Sequence, residues 1–254
     1  MAEVKDLALS IRDLGFKYPG QVKHVLENFL LDVGIGDRFG LFGPNGAGKT
    51  TLLYLITGLL DYQIGSIRLF GEEVHTNKQK IKKLIGFVPQ DFSFYQELTP
   101  IENMEFFGAL GGLNRKNSHE RADELLSILG LSDVRNKEVG KFSGGMKRRV
   151  NLAIGVIHQP RILFLDEPTV GVDVQTRFAI IDYLKRLNEQ GMTLVYTSHQ
   201  LTEAQSLCNK IALVDEGKIL VHGRLDTLLA DHHQDKLEGL FLNLTGKDYR
   251  DSDV

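Results

Sequence analysis

The stretch Gly43-Pro44-Asn45-Gly46-Ala47-Gly48-Lys49-Thr50 constrains this chain more than any other. It fits the pattern G-x-x-x-x-G-K-[ST] at every fixed position, after a strand-like run and before an apolar, helix-like one. A polyphosphate is bound mainly by backbone N–H groups that converge on its oxygens. Glycines allow the unusual backbone angles and the close approach that this requires. Lys49 supplies a point charge for the β- and γ-phosphates, and Thr50 supplies a hydroxyl for Mg²⁺. A helix starting at about Lys49 aims the positive end of its dipole at the anion.

The 254 residues suffice for one large α/β unit or two small domains with a substantial core. An apolar fraction of 42% and a charged fraction of 25% are those of an ordinary soluble globular protein. Thirty basic against 33 acidic residues leave a net charge of −3, so no global basic field points to nucleic acid or an anionic membrane. The single cysteine, Cys208, excludes an intrachain disulfide and suits a reducing compartment; it reads as a small buried hydrophobe on the helix after Ser198. The opening MAEVKDLALS lacks the basic-then-apolar pattern of a signal peptide. The uncharged stretch Thr50 to Leu60 falls far short of the roughly 18 apolar residues that a spanning helix needs, so any membrane role is expected to come through a partner.

Alternating runs at Leu7–Phe16 and Val25–Val33, parted by Tyr18-Pro19-Gly20, predict two antiparallel strands, and Asp37–Phe42 predicts the buried strand entering the loop. Leu52, Leu53, Leu55, Ile56, Leu59 and Leu60 give the following helix a broad apolar face, ended by Gly58 and Asp61. Ile64–Phe70 reads as a strand, Lys78–Lys83 as a short basic helix and Leu84–Val88 as a strand running into Pro89-Gln90. From about Asp91 to Gln159 helical periodicity replaces strand patterns, with helices expected at Ile101–Leu110, Ser118–Leu129 and Met146–Ile157. Strand and helix alternate again after Pro160: Ile162–Leu165, Val174–Glu189, Thr193–Thr197 and Thr202–Leu207, then a hairpin of Ile211–Val214 and Lys218–Val221. The order predicts an α/β fold with a mostly parallel sheet, an antiparallel N-terminal part and a helical subdomain inserted at 91–159 between core segments 1–90 and 160–230. The tail, 231–254, is polar except for Leu237, Leu240, Phe241 and Leu244, spaced as one helical face.

Ile162-Leu163-Phe164-Leu165-Asp166-Glu167-Pro168 is a buried strand that delivers two carboxylates at its C-terminal end, where ligands bind in open α/β sheets. Asp166 is placed to hold Mg²⁺. Glu167, one residue on, can polarise the water that attacks a γ-phosphate.

The phosphate loop, the Phe142-Ser143-Gly144-Gly145-Met146 segment ahead of that strand, Gln90 and His199 together resemble the nucleotide-binding subunit of ATP-binding cassette (ABC) transporters, in the family's order and spacing over about residues 5 to 245. The resemblance implies a P-loop NTPase (RecA-like) core that binds and hydrolyses MgATP and powers a separate integral membrane permease. It implies a peripheral location on the cytoplasmic face of the membrane, through that permease. It makes Gln90 the sensor of Mg²⁺ or γ-phosphate, Ser143, Gly144 and Gly145 the family signature, His199 the switch that positions the attacking water, and Asp173 part of a loop crossing the dimer interface. A serine hydroxyl and glycine amides at a helix N-terminus form an anion site. Because two family subunits pair head to tail, each signature closing over ATP on the other's phosphate loop, a homodimer or heterodimer is implied. Thr51 joins the nucleotide contacts, and Tyr18 resembles the aromatic that stacks on adenine, worth about 1 kcal/mol. Phe16 is its rival.

The segment departs from the family's most frequent Leu-Ser-Gly-Gly-Gln at Phe142 and Met146, and Met146 cannot make the glutamine's hydrogen bonds. Phe-Ser-Gly-Gly-Met followed by Lys147-Arg148-Arg149 resembles the branch paired with separately encoded export permeases. Tyr95-Gln96-Glu97-Leu98-Thr99 with Glu102-Asn103, and Leu237-Glu238-Gly239-Leu240-Phe241, point the same way. The alternatives are a soluble non-transport ABC ATPase and an importer ATPase. Lys147, Arg148 and Arg149 are expected on the exposed side of the signature helix. Lys78, Lys80, Lys82 and Lys83 read as a solvated helix face, and His232-His233 as part of a flexible tail.

Overall fold

Apolar alternation in the first seventy residues and continuous apolar runs near both ends of the central segment give two kinds of sheet. The computed structural model describes residues 7–198 and 200–246, and the chain divides into two compact units, Met1–Ile81 with Thr193–Val254, and Lys82–Met192. In chain order the first unit runs through β1 (Leu7–Phe16), β2 (Leu26–Gly34), β3 (Arg38–Phe42), α1 (Lys49–Ile56), β4 (Ile64–Leu69) and β5 (Glu72–Glu73), with α2 (Lys78–Leu84) at its boundary. The second holds β6 (Ile85–Val88), α3 (Pro100–Leu110), α4 (Arg115–Ile128), α5 (Gly144–Val156), β7 (Ile162–Asp166) and α6 (Val174–Glu189). The chain then returns to the first with β8 (Thr193–Ser198), α7 (Leu201–Leu207), β9 (Lys210–Asp215), β10 (Lys218–Arg224), α8 (Leu225–Asp231) and α9 (Leu237–Thr245).

In the first unit β1 lies between β2 and β4 in an antiparallel sheet of order β2-β1-β4-β5, with Ile11 opposite both Leu31 and Ile67. Inward residues Leu9, Ile11, Leu31 and Ile67 are at most 2% exposed, and a register shift past Ile11, where Asp13 takes φ +49°, brings Leu14 inward out of the two-residue phase. The order β10-β9-β3-β8 forms the other group, in which β3 runs parallel to both β8 and β9 while β10 folds back antiparallel on β9. Strands β3 and β8 are buried almost throughout, as a parallel sheet requires, whereas β10 alternates exposed and half-buried residues. In the second unit β6 pairs parallel to β7, Gly86 facing Leu163, and α3, α4 and α5 pack on one another. The α/β class, the parallel strands and the antiparallel N-terminal sheet agree with the expectation from sequence.

Helices α1, α4 and α8 and the short strand β5 differ from it. Helix α1 ends at Ile56, short of Leu60, because Gly58 takes the left-handed φ of +73°, one residue after the Thr57 N–H makes a last helical bond to the Leu53 carbonyl at 2.9 Å. Leu59 is therefore 63% exposed and lies outside the apolar face assigned to it. Helix α4 starts at Arg115, three residues before Ser118, since the Asn114 side chain accepts the Asn117 N–H at 2.8 Å and caps the helix there. Helix α8 was not anticipated. The tail keeps the expected helical face in α9, burying Leu237, Leu240 and Phe241. Cys208 is buried as expected, one residue beyond α7, where its Sγ would lie 2.9 Å from any Cβ at Gly40. Burial pushes its thiol well above the ordinary range.

Candidate functional site

Strand β3 feeds a loop whose glycines are fixed by space and backbone angle. A Cβ on Gly43 would stand 2.0 Å from the Val214 carbonyl of β9, and Gly46 and Gly48 take φ +81° and +99°. Gly48 precedes α1, Ala47 is buried, Asn45 and Gly46 are exposed, and Pro44 accepts the Ala47 N–H at 3.2 Å. The Lys49 ammonium, 6% exposed, curls onto its own loop and donates to the Gly43 and Pro44 carbonyls at 2.8 and 3.0 Å. Thr50 is half-buried in the first turn of α1, while Thr51 is buried. A recess of about 300 Å³ beside the loop is lined in part by Gln21, His24, Asn45, Gly46 and Glu216.

Tyr18 is half-buried, and its hydroxyl lies 3.1 Å from the Thr51 hydroxyl, so the residue expected to stack on adenine sits against the helix that leaves the phosphate loop. Phe16 meets Tyr18 edge-on with ring centroids 5.0 Å apart, but at 5% exposure it has no free face for a base. His199 lies outside the described residues. Its flanks are pinned within the first unit: the Ser198 hydroxyl accepts the Gln200 N–H at 2.9 Å, and Tyr196 donates to the buried Glu203 carboxylate at 2.7 Å.

In the second unit β7 ends at Asp166, 1% exposed, and the next residue, Glu167, is 8% exposed. Glu167 takes φ +48°, a region costly for a residue with a side chain, and its carbonyl accepts the Val170 N–H at 3.3 Å. Ser143 is the N-cap of α5, its hydroxyl accepting the Met146 N–H at 3.3 Å. Ser143 and Gly144 are exposed and Gly145 is half-buried. Asp173 caps α6, accepting the Thr176 N–H at 2.9 Å and the Thr176 hydroxyl at 2.7 Å. Those bonds, the N–H first, hold its carboxyl below the ordinary carboxylate range. A Cβ on Gly145 would lie 3.1 Å from the Thr176 hydroxyl and 3.5 Å from the Asp173 carboxylate. The signature and the Asp173 turn are thus neighbours on the surface of one unit. Gln90, exposed just past β6, belongs to the same unit.

Arg148 corrects the expectation that the three basic residues after Met146 face solvent. Lys147 and Arg149 are half-buried, and Arg148 is 8% exposed. Its guanidinium donates to the Gln90 carbonyl and, at 3.3 Å, to the Val170 carbonyl, and lies 4.8 Å from the centre of the Phe92 ring. The helical phase held the signal, because Arg148 shares its stripe with the buried Asn151, Leu152 and Gly155 three, four and seven residues on. Lys78 and Lys80 pair with Asp61 and Glu72 on an exposed helix face, as a solvated surface does. Among the described residues no cluster of three or more His, Cys, Asp or Glu could hold a metal ion, and no helix is long and apolar enough to cross a membrane.

The family model described as ABC transporter matches residues 26–170. The chain is 40% identical over 201 residues to the linearmycin resistance ATP-binding protein LnrL of Bacillus subtilis (strain 168), covering 79% of this chain and 65% of that protein. It is 38% identical over 216 residues to the daunorubicin resistance ATP-binding protein DrrA3 of Streptomyces coeruleorubidus, covering 85% of this chain and 68% of that protein. The chain therefore spans about two thirds of the length of these relatives. Among solved structures it resembles a dimeric ATP-binding cassette in a post-hydrolysis state bound to ADP and Pi, with a TM-score of 0.77 and 26% identity over 85% of this chain and 98% of that one. The family match covers more than half of the chain and includes both the phosphate loop and the Asp166-Glu167 strand end. The chain belongs to the ABC transporter family, as an ATP-binding cassette.

Proposed function

We propose that this chain is the ATP-binding and hydrolysing subunit of an ABC transporter and that it drives a separate membrane permease in the export direction. The observation that carries the reading is the buried Asp166-Glu167 pair at the end of β7, with Glu167 in a strained backbone, in a chain that also holds a complete phosphate loop. The phosphate loop, from Gly43 to Thr50, holds the β- and γ-phosphates through its backbone N–H groups. Lys49 exchanges its two carbonyl partners for phosphate oxygens. Tyr18 stacks on the base, and Thr51 joins the nucleotide contacts beside Thr50.

Thr50, Gln90 and Asp166 offer hydroxyl, amide and carboxylate oxygens, the hard donors that suit Mg²⁺. When bound, Mg²⁺ neutralises charge developing on the phosphate oxygens. Glu167 takes the proton of the attacking water, and Gln90 and His199 orient the reactants. Ser143, Gly144, Gly145 and Asp173 serve the nucleotide held by a second ATPase subunit, which fits the exposure of Ser143, Gly144 and Asp173 on the surface of the second unit. The helical segment 91–159 carries the signature. Export rests on the Phe-Ser-Gly-Gly-Met segment and on the relatives named for linearmycin and daunorubicin resistance.

Glu167→Gln tests the reading. Hydrolysis should slow by about 10²- to 10⁴-fold, ATP should bind with parent affinity, and a dimer should persist with ATP in size-exclusion chromatography. A variant that hydrolyses ATP at the parent rate removes Glu167 from the reaction. Co-purification with an integral membrane protein separates the transporter subunit from a soluble ATPase.

A further inference from the structure

Arg148 is a buried cation that donates to two backbone carbonyls and lies against an aromatic face. Burial lowers its pKa, and the nearby Asp91 and Glu167 charges partly offset that effect. Its two carbonyl partners belong to the two loops that carry the proposed chemistry. One is Gln90 itself; the other is Val170, whose N–H closes a turn on the Glu167 carbonyl at 3.3 Å. Asn151, three residues further along α5, donates to the Pro89 carbonyl at 3.1 Å and fixes the same loop a second time. Phe92, stacked on Phe94 at 5.3 Å, closes the remaining side of the guanidinium. Helix α5, which begins at the signature serine, thus sends one side chain inward to hold the strand ends after both β6 and β7. A planar guanidinium can donate to two carbonyls in fixed directions at once, and an ammonium on a flexible stem cannot reproduce that fork.

We propose that Arg148 is a positioning residue for ATP hydrolysis: by clamping the Gln90 and Val170 carbonyls together, it sets the placement of the Gln90 and Glu167 side chains against the reacting phosphate. The proposal rests on the ATPase reading above. It predicts a change in turnover with little change in nucleotide binding, because the phosphate loop takes no part in the clamp. A misplacement of about 1 Å at such a site is enough to cost up to two orders of magnitude in rate.

The test measures steady-state ATPase kinetics and equilibrium ATP binding of the full chain for the parent, Arg148→Met, Arg148→Lys, Gln90→Ala and the double variant Gln90→Ala/Arg148→Met, each checked by thermal melting. The expected result is that Arg148→Met lowers kcat by about ten- to a hundredfold while KM and ATP affinity stay near parent values. Arg148→Lys, which keeps the charge and most of the packing, should recover only a small part of kcat. In the Gln90→Ala background Arg148→Met should cost clearly less than in the parent, because the two act through one arrangement. Parent-like kcat in Arg148→Met, full recovery by lysine, or full additivity with Gln90→Ala overturns the positioning role. If Arg148→Met does not fold, the lysine variant decides alone, since it preserves the buried cation and removes only the fork. A parent chain without ATPase activity overturns the functional reading, and this proposal with it, and is thereby told apart from a failure of Arg148 alone.

Discussion

Glu167 and His158 illustrate how single residues in one unit are set by burial. Placing a side chain at φ +48° costs on the order of 1 kcal/mol or more, and the surrounding structure has to impose it. Here the fully buried β7 on one side and the Val170 turn on the other fix the chain where the carboxylate leaves the strand. His158, just after α5, places its Nε2 2.8 Å from the Ile85 carbonyl and packs where a Cβ on Gly111 would come within 2.5 Å of it. Burial holds its imidazole below the ordinary value of 6.5, and the bond to Ile85 only partly offsets this. Between the lowered folded-state pKa and 6.5 the unfolded chain binds more protons than the folded one, so stability rises with pH across that window. The contribution is complete above the unfolded-state value and is lost as the pH falls below it. Urea unfolding midpoints should therefore drop from neutral to mildly acid pH by more in the parent than in His158→Gln. Equal slopes would remove His158 as the cause.

At the scale of elements, caps and buried amides decide where helices begin. Thr99 and Glu102 form a reciprocal capping box at α3, the Glu102 carboxylate accepting the Thr99 N–H at 2.8 Å and the Thr99 hydroxyl accepting the Glu102 N–H at 3.3 Å. The Thr99 N–H and, after it, the Thr99 hydroxyl, which donates to the same carboxylate at 2.8 Å, lower the Glu102 pKa. One turn in, Asn103 is fully buried and accepts the Tyr95 N–H at 2.8 Å while donating to the Tyr95 and Thr99 carbonyls at 2.9 and 3.1 Å. It ties the loop after Gln90 to α3. Asn103→Ala leaves the Tyr95 backbone groups without that partner and should cost about 1–3 kcal/mol in urea unfolding, with faster amide exchange at Tyr95. Parent-like stability would show that water replaces the amide without loss. Most elements were legible because their signals are local: apolar residues alternating from Leu7 to Ile11 in β1, an apolar run over β7, and a Thr-Pro start for α3. The misplaced end of α1 is set by the left-handed backbone of Gly58 and the start of α4 by a single side-chain bond from Asn114, neither of which a reading of apolar periodicity places.

At the scale of the whole molecule, the proposed assembly depends on an exposed surface of the second unit that carries Ser143, Gly144 and the Asp173 turn. An arginine at Ser143 would place a long charged chain at the N-terminus of α5 without touching the phosphate loop. Ser143→Arg should abolish ATP-dependent dimerisation, seen by light scattering, while ATP still binds the monomer; a dimer of parent stability would exclude the signature from the interface. The sequence by itself carried the Gly43–Thr50 loop pattern, the Asp166-Glu167 strand end and their order, because the residue types that a polyphosphate would need stand at fixed local spacing, and it carried the Phe142–Met146 segment as a family resemblance. It likewise carried the fold class, since strand and helix periods are written over a few consecutive residues. Only the tertiary structure decided that Lys49 lies on its own loop carbonyls, that Tyr18 rests on Thr51, that Phe16 is closed off and that Arg148 is buried across two loops. Tyr18 and Thr51 are 33 residues apart, as Gln90 and Arg148 are 58. Contacts across such separations arise from packing, which no local pattern records.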